Sequence, residues 1–246
     1  MSIADKLATI AENEQKVYEA GKQAEYDKFW DNYQSNGKRT DYGYSFYGDC
    51  WNINTFKPKY DIKSTNFTQM FPYFNNLSET QIDLVALAEE NGIKIEFSST
   101  TGHSNYSFAT GGISRIGVVD MSTIISSSYC FYGAYSQERG LQTIDKIISS
   151  ETTAFHNTTF GYAKWLENVT FEGVIAISIY FQYSPLTPES MKSVINCLKN
   201  FKGTGKEYSC EVKFRDDCWA ALEADSTAPN GSTWKEYVQT ELCWNI

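Results

Sequence analysis

Ile113-Ser-Arg-Ile116-Gly-Val-Val-Asp120, Leu141-Gln-Thr-Ile144-Asp-Lys-Ile-Ile148 and Leu166-Glu-Asn-Val169-Thr-Phe171-Glu-Gly173 are three versions of one phrase. Each reads apolar, two polar residues, apolar, then a short run rich in β-branched or aromatic residues. Upstream of each stands an aromatic in a small polar context: Ser107-Phe108, Cys130-Phe131 and Thr159-Phe160. The second apolar positions, Ile116, Ile144 and Val169, are 28 and 25 residues apart. A period in the twenties is that of units made of one strand and one return segment. Such a unit cannot bury its apolar side alone, so stacked copies share a continuous core. The competing reading is an ordinary β-rich domain in which three strands are alike by coincidence.

Working outward, the flanks supply helices and further strands. Ile3, Leu7, Ile10, Val17 and Ala24 follow alternating four- and three-residue steps when Glu14 and Gly21 are counted in the series. That spacing predicts a helix of about thirty residues reaching Phe29-Trp30 or Tyr33, stopped by Ser35-Asn-Gly37. Its thin seam is that of a short coiled coil or of a helix packed on its own domain. Between 37 and 62 the chain turns aromatic, and Tyr42-Gly-Tyr44-Ser-Phe46 alternates like a strand or hairpin edge. Ser78-Glu-Thr-Gln81 is a capping-box pattern that predicts a helix from Glu79 to Asn91, with Gly92 at its end. Ile93-Lys-Ile95-Glu-Phe97 follows as an alternating strand. Downstream, Val174 to Tyr183 reads as a strand and Thr187-Pro-Glu-Ser190 opens a helix with Pro188 at its first position. Cys210-Glu-Val212-Lys-Phe214 is another alternating strand. Trp219 to Glu223 and Thr233 to Leu242 read as helical around a Pro229-Asn-Gly231 turn, and Cys243-Trp-Asn-Ile246 as a closing strand or cap.

Composition excludes several functions. The formal charge is −9 and no run of Lys or Arg forms a basic patch, which disfavours nucleic acid and anionic membranes. No stretch reaches the roughly 18 apolar residues of a membrane helix, and the N-terminus lacks the form of a secretory signal. The six cysteines, at 50, 130, 197, 210, 218 and 243, contain no C-x-x-C pair and read as reduced and mostly buried, a disulfide among the last four being the alternative. Six N-x-S/T triplets, at Asn66, Asn76, Asn105, Asn157, Asn168 and Asn230, read as turns. His103 and His156 stand alone, outside any metal-ligand spacing. Gly203-Thr-Gly205-Lys206 lacks the first glycine and the final Ser/Thr of a phosphate loop. Glu89-Glu90 and Asp216-Asp217 are adjacent pairs that face different directions on a helix. The expectation is no catalytic residue, no cofactor and no metal. A glycan-acting enzyme would need two carboxylates from Glu138, Asp145, Glu151, Glu167 and Glu172 about 5–10 Å apart on one face.

Surface chemistry remains. Tyr129, Tyr132, Tyr135, Tyr162, Tyr180 and Tyr183 sit among Ser, Gly, Gln and Asn. Tyrosine offers large contact area at low entropy cost, and its small polar neighbours offer adaptable hydrogen bonds. These six are the candidate recognition surface; burial between layers would account for about half of them.

The phrases Phe108…Ile113-x-x-Ile116, Phe131…Leu141-x-x-Ile144 and Phe160…Leu166-x-x-Val169 resemble the BspA-like leucine-rich-repeat family. The run Ile10 to Lys22, Trp51-Asn, Thr55 to Ile62 and Ser184 to Ile195 are similar to proteins encoded by phages and prophages of gut Firmicutes. The uneven repeat lengths and scarcity of leucine depart from the regular pattern. The resemblance implies an α/β repeat, a leucine-rich-repeat-like solenoid with an N-terminal helix. Residues 1–36 would be a coiled-coil or assembly segment, 37–65 an aromatic connector or cap, and 66–246 the solenoid with its C-terminal cap. It further implies a non-enzymatic virion protein of a tail or fibre, assembled in the bacterial cytoplasm. Its N-terminal helix would hold a homo-oligomer, a trimer above all, or dock on other virion proteins. Its partner would be a host-surface glycan or protein. The alternative is a bacterial scaffold or adhesin of the cytoplasm or cell surface.

Overall fold

The three recurring phrases become three parallel strands, side by side. A computed structural model describes residues 3–33, 41, 56–71, 81–100, 102–109, 111–133 and 139–246. In chain order the elements are α1 (Ile3–Tyr33), β1 (Ile62–Ser64), β2 (Ile82–Asp83), α2 (Leu84–Asn91), β3 (Ile95–Ser98), β4 (Ile113–Asp120), β5 (Thr143–Ser149), β6 (Asn168–Gly173), β7 (Ile179–Phe181), α3 (Pro188–Cys197), β8 (Val212–Phe214) and α4 (Asp216–Asp225). A helical turn, α5 (Trp234–Glu236), runs into a π-helical turn at Tyr237–Glu241. The fold is α/β, with one larger sheet in the order β1-β3-β4-β5-β6, β2 pairing with the start of β4, and a second sheet of β7 and β8. Every strand pair among the described residues is parallel. Among the same residues, no helix is long and apolar enough to cross a membrane.

Register follows the phrase. Ile116 lies opposite Ile144, and Ile144 opposite Val169. The three-residue step between apolar positions does not fit a strict two-residue alternation. The structure accommodates it with an irregularity: Ile144 pairs with Val169 but Ile147 with Phe171. One extra residue on β5 keeps both isoleucines in the core. Ile116, Val119, Ile144, Ile147, Val169 and Phe171 are all buried.

Behind the sheet a column of phenylalanines fills the core. Phe67, Phe108, Phe131, Phe160, Phe181 and Phe214 follow one another at centroid separations of 5.9, 5.5, 5.2, 4.4 and 5.8 Å. The Phe108–Phe131 and Phe131–Phe160 planes are inclined by only 4° and 13°. Phe97, Phe171 and Trp219 meet the column edge-on. Backbone bonds tie the return segments together in the same direction as the sheet. Phe108 N donates to Cys130 O (2.7 Å) and Phe131 N to Thr159 O (2.8 Å).

The last strand of the larger sheet is closed by a helix instead of another strand. α3 starts at Thr187, whose hydroxyl accepts from Ser190 N, with Pro188 in the first turn, as its sequence dictates. Met191, Val194 and Ile195 are buried. On the side facing β6, Ser190 Oγ accepts from Val169 N (2.9 Å) and donates to Glu167 O (3.1 Å). Ser193 Oγ accepts from Phe171 N (2.7 Å). Two serines one helical turn apart thus occupy the bonding positions of a neighbouring strand, which blunts an exposed edge.

Three sequence expectations are corrected. The helix expected from Glu79 begins at Leu84, because Asp83 caps it by accepting from Val85 N and Ala86 N. Ser78, Glu79 and Thr80 lie outside the described residues; Gln81 is not helical, and its amide donates to Gly111 O and Gly140 O. The run Val174–Tyr183 is strand only at Ile179–Phe181, and Ile175 forms an isolated bridge with Leu198. The strand expected over Cys210–Phe214 shortens to Val212–Phe214. The Tyr42–Phe46 strand and Cys50 lie outside the described residues. The other five cysteines are unpaired, three of them buried; burial pushes the pKa of the Cys130 thiol up to about 12.

The edge closure has a measurable weight. In Ser190→Ala and Ser193→Ala, a strand N–H loses its acceptor under a helix. Each variant should lose about 1–3 kcal/mol in urea unfolding, with the pair additive or worse. Asn196, on the exposed side of the same helix, provides the control: Asn196→Ala should change stability little.

Candidate recognition surface

Rotation of the backbone at three tyrosines builds the most distinctive surface. Tyr106, Tyr129 and Tyr162 have φ of 54, 58 and 52°, a left-handed conformation uncommon for a residue with a Cβ. Each lies in the turn beside a column phenylalanine. Tyr106 N donates to Ser128 O (3.1 Å), so these turns are bonded across layers as the strands are. A continuous ribbon of five rings results. Tyr106 and Tyr129 stack at 4.6 Å and 10°, and Tyr162 and Tyr183 at 4.5 Å and 10°. Tyr132 joins the two pairs edge-on, 5.0 Å from Tyr129 and 5.5 Å from Tyr162.

Two glycines leave room for it. A Cβ on Gly133 would lie 1.9 Å from Tyr162 O, and one on Gly161 would meet the Tyr132 ring at 3.0 Å. Tyr106, Tyr129, Tyr132 and Tyr162 are half-buried, and Tyr183 is exposed. Of the six tyrosines singled out from sequence, the structure gathers Tyr129, Tyr132, Tyr162 and Tyr183. Tyr180 stands apart on β7, with Lys213 Nζ 5.9 Å from its ring centre. Tyr135 lies outside the described residues. Tyr106 is the member that sequence reading missed. The signal was available in Asn105-Tyr-Ser-Phe108, which matches Ser128-Tyr-Cys-Phe131 position for position.

Charge is unevenly divided. Segments 98–119, 121–137, 152–166 and 173–188 contain no Asp or Glu, although the chain carries 30 acidic residues. Between 105 and 183 the described acids sit on or beside the strands, and three of them meet cations. Arg115 Nε and Nη2 grip Asp145 at 2.7 and 3.0 Å, which raises the guanidinium above its ordinary value. Lys146 reaches Glu172 at 2.6 Å and Lys199 reaches Glu151 at 2.6 Å. These three carboxylates are engaged in charge-assisted bonds, and the Arg115–Asp145 and Lys146–Glu172 pairs link neighbouring strands. Glu138 lies outside the described residues. His103 and His156 are exposed, and the described residues contain no group of three potential metal ligands. The tyrosine ribbon itself is a neutral strip whose rings are locked against one another, face to face and edge to face.

Backbone conformation at Tyr129 makes a sharp expectation. Removing the ring costs the same in Tyr129→Gly and Tyr129→Ala, but alanine must still adopt the left-handed conformation. The glycine variant should therefore be more stable than the alanine variant by about 1 kcal/mol in chemical unfolding, reversing the usual order.

Comparison with protein-family models, with curated proteins and with solved structures gives no match.

Proposed function

We propose that this chain is a non-enzymatic structural and recognition protein whose layers form a leucine-rich-repeat-like solenoid. Its tyrosine ribbon binds a cell-surface glycan, and α1 assembles copies of the chain. The observation that carries the reading is the ribbon itself. Five tyrosine rings are lined up against one another, three of them at left-handed backbone positions. The solenoid reading draws on the registers. Paired positions Ile62 and Ile95, Phe97 and Val119, Ile116 and Ile144, and Ile144 and Val169 are 33, 22, 28 and 25 residues apart, always parallel. A polyhydroxylated partner suits a neutral strip of half-buried tyrosines, whereas a stable protein interface has a more apolar centre. The assignment to a phage tail or fibre, and so to the virion, rests on the sequence phrases that resemble those proteins.

Assembly through α1 is supported by its exposure. Every residue from Glu12 to Tyr18 is exposed, so all sides of the helix face solvent over two turns. Ile10 and Val17, seven residues apart on one stripe, are 53% and 73% exposed. A single helix of this kind has little reason to persist in water, and a partner along Ile10 and Val17 supplies one.

Two measurements test the proposal. On an array of bacterial surface polysaccharides the intact chain should bind, and Tyr129→Ser/Tyr162→Ser should weaken binding by about tenfold or more, equivalent to about 1.4 kcal/mol. Undiminished binding by the double variant sinks the ribbon as the contact surface. In sedimentation, the intact chain should run as a defined oligomer, with a trimer expected, and Ile10→Lys/Val17→Lys as a folded monomer. A monomeric intact chain removes the self-assembly role.

A further inference from the structure

The larger sheet has one interruption beside β4, and it opens a groove. β2 pairs with β4 at Ile113 and Arg115, and β3 pairs with β4 at Val119 and Asp120. Between them the chain leaves the sheet as α2 and returns through Gly92 to Ile95. Ile116, Gly117 and Val118 therefore have no β2 or β3 residue in register beside them. The displaced chain leaves a groove of about 550 Å³ between α2 and β4. Its walls include Leu84, Val85, Ala88, Ile95, Phe97 and Val118, and Gly117 lines it without a side chain. A Cβ on Gly117 would come 3.6 Å from Val85 Cγ2, so the glycine keeps the space beneath Val85 open. Leu84 and Phe97 are buried while Val118 is 44% exposed, so the groove runs from the core to the surface. Its size falls within the range of small-molecule sites.

The rim is acidic. Glu89, Glu96, Asp120 and Asp145 border the groove, with Lys94 as the cation among its lining residues. Asp145 is gripped by Arg115, and Asp120 accepts from Ser122 N (2.9 Å) and Ser98 Oγ (3.4 Å). Arg115 is close enough to Glu89 to feel its charge, although its Nε and Nη2 are committed to Asp145 and its Nη1 lies 3.9 Å from Asp83 Oδ2. Among the described residues, Glu89 and Glu96 form no ion pair. β2 and β3 close the gap at its two ends, which leaves no passage for an added strand of a partner protein but accepts a compact molecule.

We propose that this groove binds a small amphiphilic cation. Its apolar or aromatic body lies between Val85 and Val118, its ammonium group lies at Glu89 and Glu96, and Gly117 forms the floor. The site is separate from the tyrosine ribbon and does not depend on it. Apolar walls supply affinity, and the carboxylates select charge.

Titration of the full chain by NMR with three probes of similar shape tests this: phenethylammonium, 3-phenylpropionate and 2-phenylethanol. The ammonium should bind about tenfold more tightly than the carboxylate, with shifts centred on Val85, Gly117 and Val118. Val85→Trp, which fills the groove, should abolish binding. Glu89→Gln/Glu96→Gln, both at exposed positions that leave the core untouched, should reduce the ammonium to the affinity of the alcohol. Equal binding of ammonium and carboxylate overturns the proposal, as does an ammonium preference that survives the double glutamine variant. So does the lack of binding by any probe at millimolar concentration. The glutamine variant keeps the test decisive if Val85→Trp fails to fold.

Discussion

Phe108, Phe131 and Phe160 lie nearly parallel at 5.5 and 5.2 Å, while the strands beside them pair at the spacing any sheet requires, just under about 5 Å. The two spacings must agree for either to exist. A ring from each layer stacks on the next only if every layer contributes one strand and returns to the same place. The pairing of Ile116 with Ile144 and of Ile144 with Val169, and the burial of all three, go with that stacking.

A stack of parallel strands has ends, and the one beyond β6 is closed with the help of side chains. At β6, Ser190 and Ser193 take the place of a strand and let a helix close the sheet. The smaller sheet of β7 and β8 carries the ring column onward, with Phe214 stacked on Phe181. Beyond it, Glu211 bridges to Asn245 and Trp244 is fully buried with its Nε1 donating to Lys199 O. Hydrogen bonds from hydroxyl and indole groups therefore complete what the backbone ladder leaves open.

Strands and tyrosine-bearing turns carry different chemistry. Asp145 and Glu172 pair with Arg115 and Lys146 of the neighbouring strands, so these charges link adjacent strands. The turns that hold Tyr106, Tyr129, Tyr132, Tyr162 and Tyr183 lie in segments without Asp or Glu, rich in serine and threonine. A chain with formal charge −9 thus carries these tyrosines on segments without Asp or Glu.

Much of this was legible in the sequence. The phrase around Ile116, Ile144 and Val169 located three strands, because its apolar positions had to be buried; the slip that pairs Ile147 with Phe171 was not legible. Thr187-Pro188 determined where α3 begins, and Gly92 where α2 ends, since caps and left-handed turns are local chemistry. What the sequence did not determine was set by neighbours distant in the chain. Asp83, not the box at Ser78, starts α2, because pairing with β4 holds Ile82 and Asp83 extended. Val174 to Ile177 look like a strand but lack a continuous partner. Tyr106 belongs with Tyr129, and Tyr180 does not, because ring-to-ring distance depends on which turns lie in adjacent layers. Local preference acts over a few residues, whereas membership in a surface depends on the stacking of layers more than twenty residues apart, and only the tertiary structure decides that.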